Sequence, residues 1–182
     1  MPSTKNFTQA REQQPKVGIS ACLTGQQVRY DGGNKYHQMI QQELAPWLNL
    51  QGICPEVEAG LGIPRPPVQL IKMSETVLAL GVEDDALNVT KALIDTSKQL
   101  TENHCNDLSA YIVKARSPSC GAGSTPLYDM ESNQLELGDG IFVRALKTAH
   151  PHIVIMDESS FDNIQVCREF VKRCYQLHQK TR

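Results

Sequence analysis

Three cysteines close short apolar runs. Cys22 ends Val17-Gly18-Ile19-Ser20-Ala21, and Cys54 follows Gly52-Ile53 and precedes Pro55-Glu56. Cys120 follows Tyr111-Ile112-Val113-Lys114 and sits in Ser117-Pro118-Ser119-Cys120-Gly121. If these runs are parallel strands of one α/β sheet, all three sulfurs stand at strand carboxyl ends, where open α/β sheets place their ligands. Three thiolates converging there can hold a metal centre and leave one coordination position open for chemistry. The alternative is that each cysteine fills a strand end as a small hydrophobe. Their spacings match neither zinc ribbons nor the compact ferredoxin pattern.

Polar residues stand beside each cysteine. Glu56 is either a solvated loop carboxylate or an acid–base group whose pKa burial and nearby charge can tune. Ser117 and Ser119 either hydrogen-bond within a turn or donate to a bound ligand. Gly121-Ala122-Gly123-Ser124 can form a nest of backbone N–H groups for a phosphate. Asp31-Gly32 is first a turn signal, and Asp31 is also a candidate ligand or base. Arg29 and Lys35 can meet an anion. Arg65, fixed between Pro64 and Pro66, suits an ordered ion pair. The other cysteines differ. Cys167 and Cys174 would be about 10 Å apart along one helix, too far to share a metal, and fit a core. Cys105 has no partner at ligand spacing. The five histidines show no H-E-x-x-H pattern, and no Walker loop or G-x-G-x-x-G is present.

The elements that must position these residues follow from periodicity. The pattern predicts strands over 16–21, 52–54, 111–115 and 153–156, and a hairpin over 68–73 and 76–80. Helices are predicted over 36–48 (Ile40, Leu44 and Trp47 on one face), 85–104 (Val89, Leu93 and Leu100), 141–149 and 161–179, the last capped by Ser159 or Ser160. The prolines of 60–67 exclude a helix there. Interleaved strands and helices predict a single three-layer α/β/α domain over 16–182, Rossmann-like with a mostly parallel sheet, after a flexible polar leader over 1–15.

Composition narrows the function. Six cysteines in 182 residues are too few for a disulfide scaffold. No apolar run has signal-peptide or membrane-spanning character, so a cytoplasmic protein with reduced thiols is expected. Net charge is -2 with no basic stripe, which argues against a broad nucleic-acid surface. A small anionic ligand needs only one or two cations.

Taken together, three segments carry a resemblance. They are Ile19-Ser20-Ala21-Cys22-Leu23 with Val28-Arg29-Tyr30-Asp31-Gly32-Gly33; Cys54-Pro55-Glu56-Val57 with Gly60-Leu61 and Pro64-Arg65-Pro66-Pro67; and Lys114-Ala115-Arg116-Ser117-Pro118-Ser119-Cys120-Gly121. The chain resembles the thiouracil desulfidases from about residue 16 to about 155. The resemblance implies a [4Fe-4S] cluster on Cys22, Cys54 and Cys120 with one open iron. It implies non-redox removal of sulfur from a thiolated uracil, with Glu56 as the acidic residue and Ser117 as the serine, Ser119 being the alternative. The implied partners are a small thiolated uracil compound and the iron–sulfur assembly machinery that delivers the cluster. Nucleic acid and membrane are not expected. The competing reading is an iron–sulfur or zinc-binding sulfur-carrier module without turnover of its own.

Overall fold

The computed structural model describes residues 14–180. Most of the expected leader, residues 1–13, lies outside the described residues. Its last two residues are tied down: Gln14 donates to the Pro46 carbonyl and Asn49 N–H donates to that of Pro15.

Four strands form one all-parallel sheet. They are β1 (Lys16–Ser20), β2 (Asn49–Ile53), β5 (Ala110–Val113) and β8 (Val154–Asp157), in the order β2-β1-β5-β8. Both faces are covered, as parallel sheets require. On one face Val17, Ile19, Ala110 and Ile112 pack on Ile40 of helix α1 (Gln38–Glu43), on Leu44 just after it, and on Cys167, Phe170 and Cys174 of helix α5 (Ile164–Lys180). On the other face Tyr111 and Val113 meet Leu100 of α3 (Thr90–His104) and Phe142, Val143 and Leu146 of α4 (Ile141–Ala149). This is the expected α/β/α layering. Cys105, Cys167 and Cys174 are core residues.

A second four-stranded sheet stands beside the first. Its order is β4-β3-β6-β7, from β3 (Val68–Met73), β4 (Thr76–Gly81), β6 (Thr125–Tyr128) and β7 (Gln134–Gly138). Only the β3–β6 pair is parallel. Leu70, Ala79 and Leu127 of this sheet cluster with Val89, Leu93 and Ile141. The expected hairpin is present, but β6 and β7 were not anticipated, and the single sheet expected is two.

Three helix boundaries differ from the periodic pattern. The expected helix over 36–48 stops at Glu43 because Pro46 supplies no donor and disfavours helix in the residue before it. Ile40 and Leu44 are buried as expected, whereas Trp47 is exposed and Leu48 takes the inward place. The helix expected over 85–104 begins at Thr90, because the chain before it pairs with β4: Gly81 N–H donates to Leu87 and Val89 N–H to Ala79. The last helix begins at Ile164, where the Asn163 side chain accepts from Val166 N–H. Ser159 and Ser160 instead lie in a 3-10 turn, Glu158–Ser160. Among the described residues no helix is long and apolar enough to cross a membrane.

Close packing of β1 on β5 depends on a missing side chain. A Cβ at Gly18 would stand 2.3 Å from the Tyr111 ring, which is fully buried and tilted against Phe142 at 5.2 Å between centroids. Neither ring can retreat, so Gly18→Ala is expected to destabilise the protein by about 1–3 kcal/mol. Thermal unfolding followed by circular dichroism checks this, and an unchanged midpoint would refute the packing.

Candidate functional site

The carboxyl ends of β1, β2 and β5 open into a cavity of about 410 Å³. Cys22, Cys54 and Cys120 all line it. Each is carried by a short turn at a strand end. Cys22 lies in a 3-10 turn, Ala21–Thr24, that ends at Gly25 in the left-handed region (φ 91°). Its carbonyl accepts from Lys35 N–H at 2.9 Å, folding the 26–35 loop back over the cavity. Cys54 caps the single-turn helix α2 (Pro55–Glu58), with Pro55 at the first helical position, where its missing N–H costs nothing. Its Sγ donates to the Val28 carbonyl at 3.7 Å. Cys120 sits in a turn closed by Ser117, whose Oγ accepts from Cys120 N–H at 3.1 Å and from Ser119 N–H at 3.3 Å. A Cβ at Gly121 would collide with Thr125 Oγ1 at 2.1 Å, so this turn needs glycine there.

The thiols influence one another. Burial is the largest cause of a raised pKa at Cys22, pushed up to about 11, with the neighbouring Cys54 adding to it while Arg29 and Lys114 oppose. Burial also raises Cys54, against the N–H of Val57. Cys120 is raised further, first by burial, with Cys54, Glu56 and Cys22 adding to it. All six cysteines are free. Among the described residues no three His, Cys, Asp or Glu side chains converge closely enough to hold one metal ion together. A polynuclear cluster would not require that convergence, because each cysteine would hold a different iron.

Glu56 is a buried carboxylate with a partner on each oxygen. Arg65 donates to its Oε2 twice, from Nε at 2.9 Å and from Nη2 at 2.7 Å. Ser119, 1% exposed, donates from Oγ to Oε1 at 3.0 Å. Arg65 Nη1 donates to the Gly62 carbonyl and its backbone N–H to that of Tyr30, each at 2.9 Å. The ion pair expected of a proline-flanked arginine is therefore present, and its partner is Glu56.

Among the described residues the cavity is lined by five cations, Arg29, Lys35, Arg65, Lys114 and Arg116, and by one acid, Glu56. Arg65 pairs with Glu56, Lys114 with Glu158, and Arg29 with Asp31 at 3.4 Å. Among the described residues Lys35 and Arg116 are in no ion pair. The site is thus locally positive in a protein of net charge -2. Lys114 and Arg116 were missed as functional candidates although they stand inside the motif that ends at Cys120. Glu158 had no local signal. It reaches the site from the end of β8, where it also accepts from Ala115 N–H.

Several expected ligand-binding residues stand elsewhere. Ser117, Arg29 and Lys35 line the cavity, and Ser119 is behind it, committed to Glu56. Asp31 is outside the lining. Its carboxyl is held below the usual range first by Gly33 N–H, with Arg29 adding to it. Gly121, Gly123 and Ser124 do not line the cavity either. The nest is spent on the protein itself: Gly121 N–H donates to the Ser117 carbonyl, Gly123 N–H to Asp139, and Ser124 Oγ accepts from Arg116 N–H.

Fold and site together define an α/β protein with a thiol-rich, cation-lined cavity at the strand ends. The chain belongs to the 2-thiouracil desulfurase family, whose model matches residues 17–158. It is similar to an uncharacterized protein of Bacillus subtilis (strain 168), YbbK, with 28% identity over 154 residues, 77% of this chain and 95% of that one. Among solved structures it is similar to the [4Fe-4S]-dependent thiouracil desulfidase TudS, with a TM-score of 0.65 and 28% identity. That match covers 86% of this chain and 99% of the other.

The three cavity thiols and the three core thiols should separate chemically. In metal-free protein under argon, iodoacetamide is expected to label Cys54 first, because it is only half-buried, then Cys22 and Cys120. Cys105, Cys167 and Cys174 should react only after denaturant is added. Peptide mass spectrometry reads the order, and early labelling of Cys167 or Cys174 would contradict it.

Proposed function

We propose that this chain is a [4Fe-4S]-dependent desulfidase of small thiolated uracil compounds, converting the thiocarbonyl to a carbonyl and releasing hydrosulfide. The observation that carries the reading is the meeting of Cys22, Cys54 and Cys120 with Glu56 and Ser117 at one cavity. The donor set fits the group: three soft thiols from three separate turns, with no fourth cysteine lining the cavity. When bound on these residues, the cluster supplies a thiophilic Lewis acid with one iron free of protein ligands. Its delivery falls to iron–sulfur assembly machinery.

The chain's own residues do the remaining work. Water adds to the thiocarbonyl carbon, and Glu56 takes its proton at Oε1. That oxygen accepts the Ser119 hydroxyl and keeps acceptor capacity for a second donor. Ser117 Oγ is already the acceptor of two amides, so its remaining role is to donate its proton to the ring of the substrate. The carbon–sulfur bond breaks, oxygen from water takes its place, and sulfur departs at the same oxidation level. No electron moves, so no reductase is needed. Lys35 and Arg116 supply positive charge for an anionic substituent, which favours a nucleotide such as 4-thiouridine monophosphate over the bare base.

Three measurements test this. Alanine at Cys22, Cys54 or Cys120 should each abolish iron retention after anaerobic reconstitution, while Cys167→Ala should not. Full iron in any of the first three removes that ligand. Glu56→Gln should retain iron and lose about 10²–10⁴-fold in turnover of thiouracil, as a lost acid–base group does. Full activity would place the base elsewhere, and absence of turnover in the wild-type holoprotein would favour the sulfur-carrier reading. The monophosphate should be turned over better than the base, with the advantage erased in Lys35→Ala/Arg116→Ala. Efficient turnover of thiolated transfer RNA with a steep salt dependence would instead reveal a polyanion surface.

A further inference from the structure

Arg65 does not grip Glu56 as a fork. Both of its contacts go to Oε2, from Nε at 2.9 Å and from Nη2 at 2.7 Å, although a guanidinium can span both oxygens of a carboxylate. The third nitrogen, Nη1, is anchored on the Gly62 carbonyl, and the backbone N–H on Tyr30. The side chain is 5% exposed. Oε1 is left with a single partner, the buried Ser119 hydroxyl at 3.0 Å. The two carboxylate oxygens are therefore unequal: one is saturated by charge, the other keeps room for a further donor.

We propose that Arg65 is the positioning residue for the reaction, fixing the Glu56 carboxylate so that Oε1 alone faces its proton donor. The inference rests on the reading of Glu56 as the base. Arg65 contributes geometry through three nitrogens at once, anchoring on Gly62 while it binds Oε2. A lysine at this position keeps the charge but presents one nitrogen, and cannot hold both ends of that brace. Misplacing a reacting group by about 1 Å costs about 10²-fold in rate. The loss should fall on kcat, because Glu56 takes its proton during the reaction rather than on binding.

The test is Arg65→Lys in anaerobically reconstituted protein, with turnover of thiouracil normalised to bound iron. The expected result is wild-type iron content, a KM within about two-fold, and a kcat lowered by about 10²-fold. Combined with Glu56→Gln, Arg65→Lys should add nothing further, since residues acting as a unit are not additive. Arg65→Gln, which keeps a donor for Oε2 without the brace, repeats the test if the lysine variant fails to hold iron. An unchanged kcat in a variant with full iron overturns the proposal. So does an equal loss on the Glu56→Gln background, which would assign Arg65 to another partner, or a loss confined to KM, which would assign it to substrate. Near-normal activity of Glu56→Gln alone overturns the base reading instead, and so distinguishes the two failures.

Discussion

Adjacent strands running in the same direction are the constraint on which the site depends. β2, β1 and β5 are neighbours and parallel, so each leaves the sheet at the same edge. A parallel pair cannot be joined by a short turn; its connection must cross a face of the sheet and return. The crossovers here supply the helices that cover both faces, and their first residues are the turns bearing Cys22, Cys54 and Cys120. Had one of these strands been reversed, its cysteine would lie a strand's length away at the opposite edge. Burial on both faces makes that reversal costly, because every residue of β5 is buried and so is most of β1.

Electrostatics then divides the cavity. A buried carboxylate must be paired, since removing one member of a buried ion pair costs about 3–5 kcal/mol. Glu56 meets that demand with Arg65 and Ser119, which leaves it without influence on the other four cations. Lys114 is similarly absorbed by Glu158, and Arg29 partly by Asp31. What remains is positive charge on Lys35 and Arg116 at the mouth and, deeper in, three thiols whose pKa values burial raises. A metal centre bound on such thiols would displace their protons, and its binding would add to the free energy of the folded site.

The strand ends were legible because β1 and β5 are buried on both faces and centre on the short apolar runs Val17-Gly18-Ile19 and Ala110-Tyr111-Ile112-Val113. Ile40, Leu93 and Leu100 were legible from burial on one helical face, and Leu44 and Val89 are buried at the ends of the same helices. The second sheet was harder. β6 contains Pro126, which argues against a strand, and β7 alternates Leu135 and Leu137 that are both more than half exposed. Pattern reasoning looks for buried leucines and finds none there. The two serines around Pro118 were indistinguishable by sequence, since both types and both positions suit a turn. Only the packing separates them, with Ser117 on the cavity and Ser119 beneath it. Glu158 enters from the end of β8, and no local pattern announces a contact set by strand order.

The three motifs are also bound to one another beyond their thiols. The first supplies Cys22 and the Tyr30 carbonyl that accepts from Arg65 N–H. The second supplies Cys54, Glu56 and Arg65. The third supplies Cys120 together with Ser119, whose hydroxyl reaches Glu56 across 63 residues of sequence. Each motif thus contributes one sulfur and one strand of a single buried polar network centred on Glu56. Displacing any of the three turns breaks a hydrogen bond to a buried group as well as moving a thiol, and a buried group left unpaired costs about 1–3 kcal/mol. The thiol set and the carboxylate are therefore held in mutual register by the same interactions. That coupling gives a physical reason for the motifs to occur together: a chain with the cysteines alone would lack the contacts that keep the three turns in place.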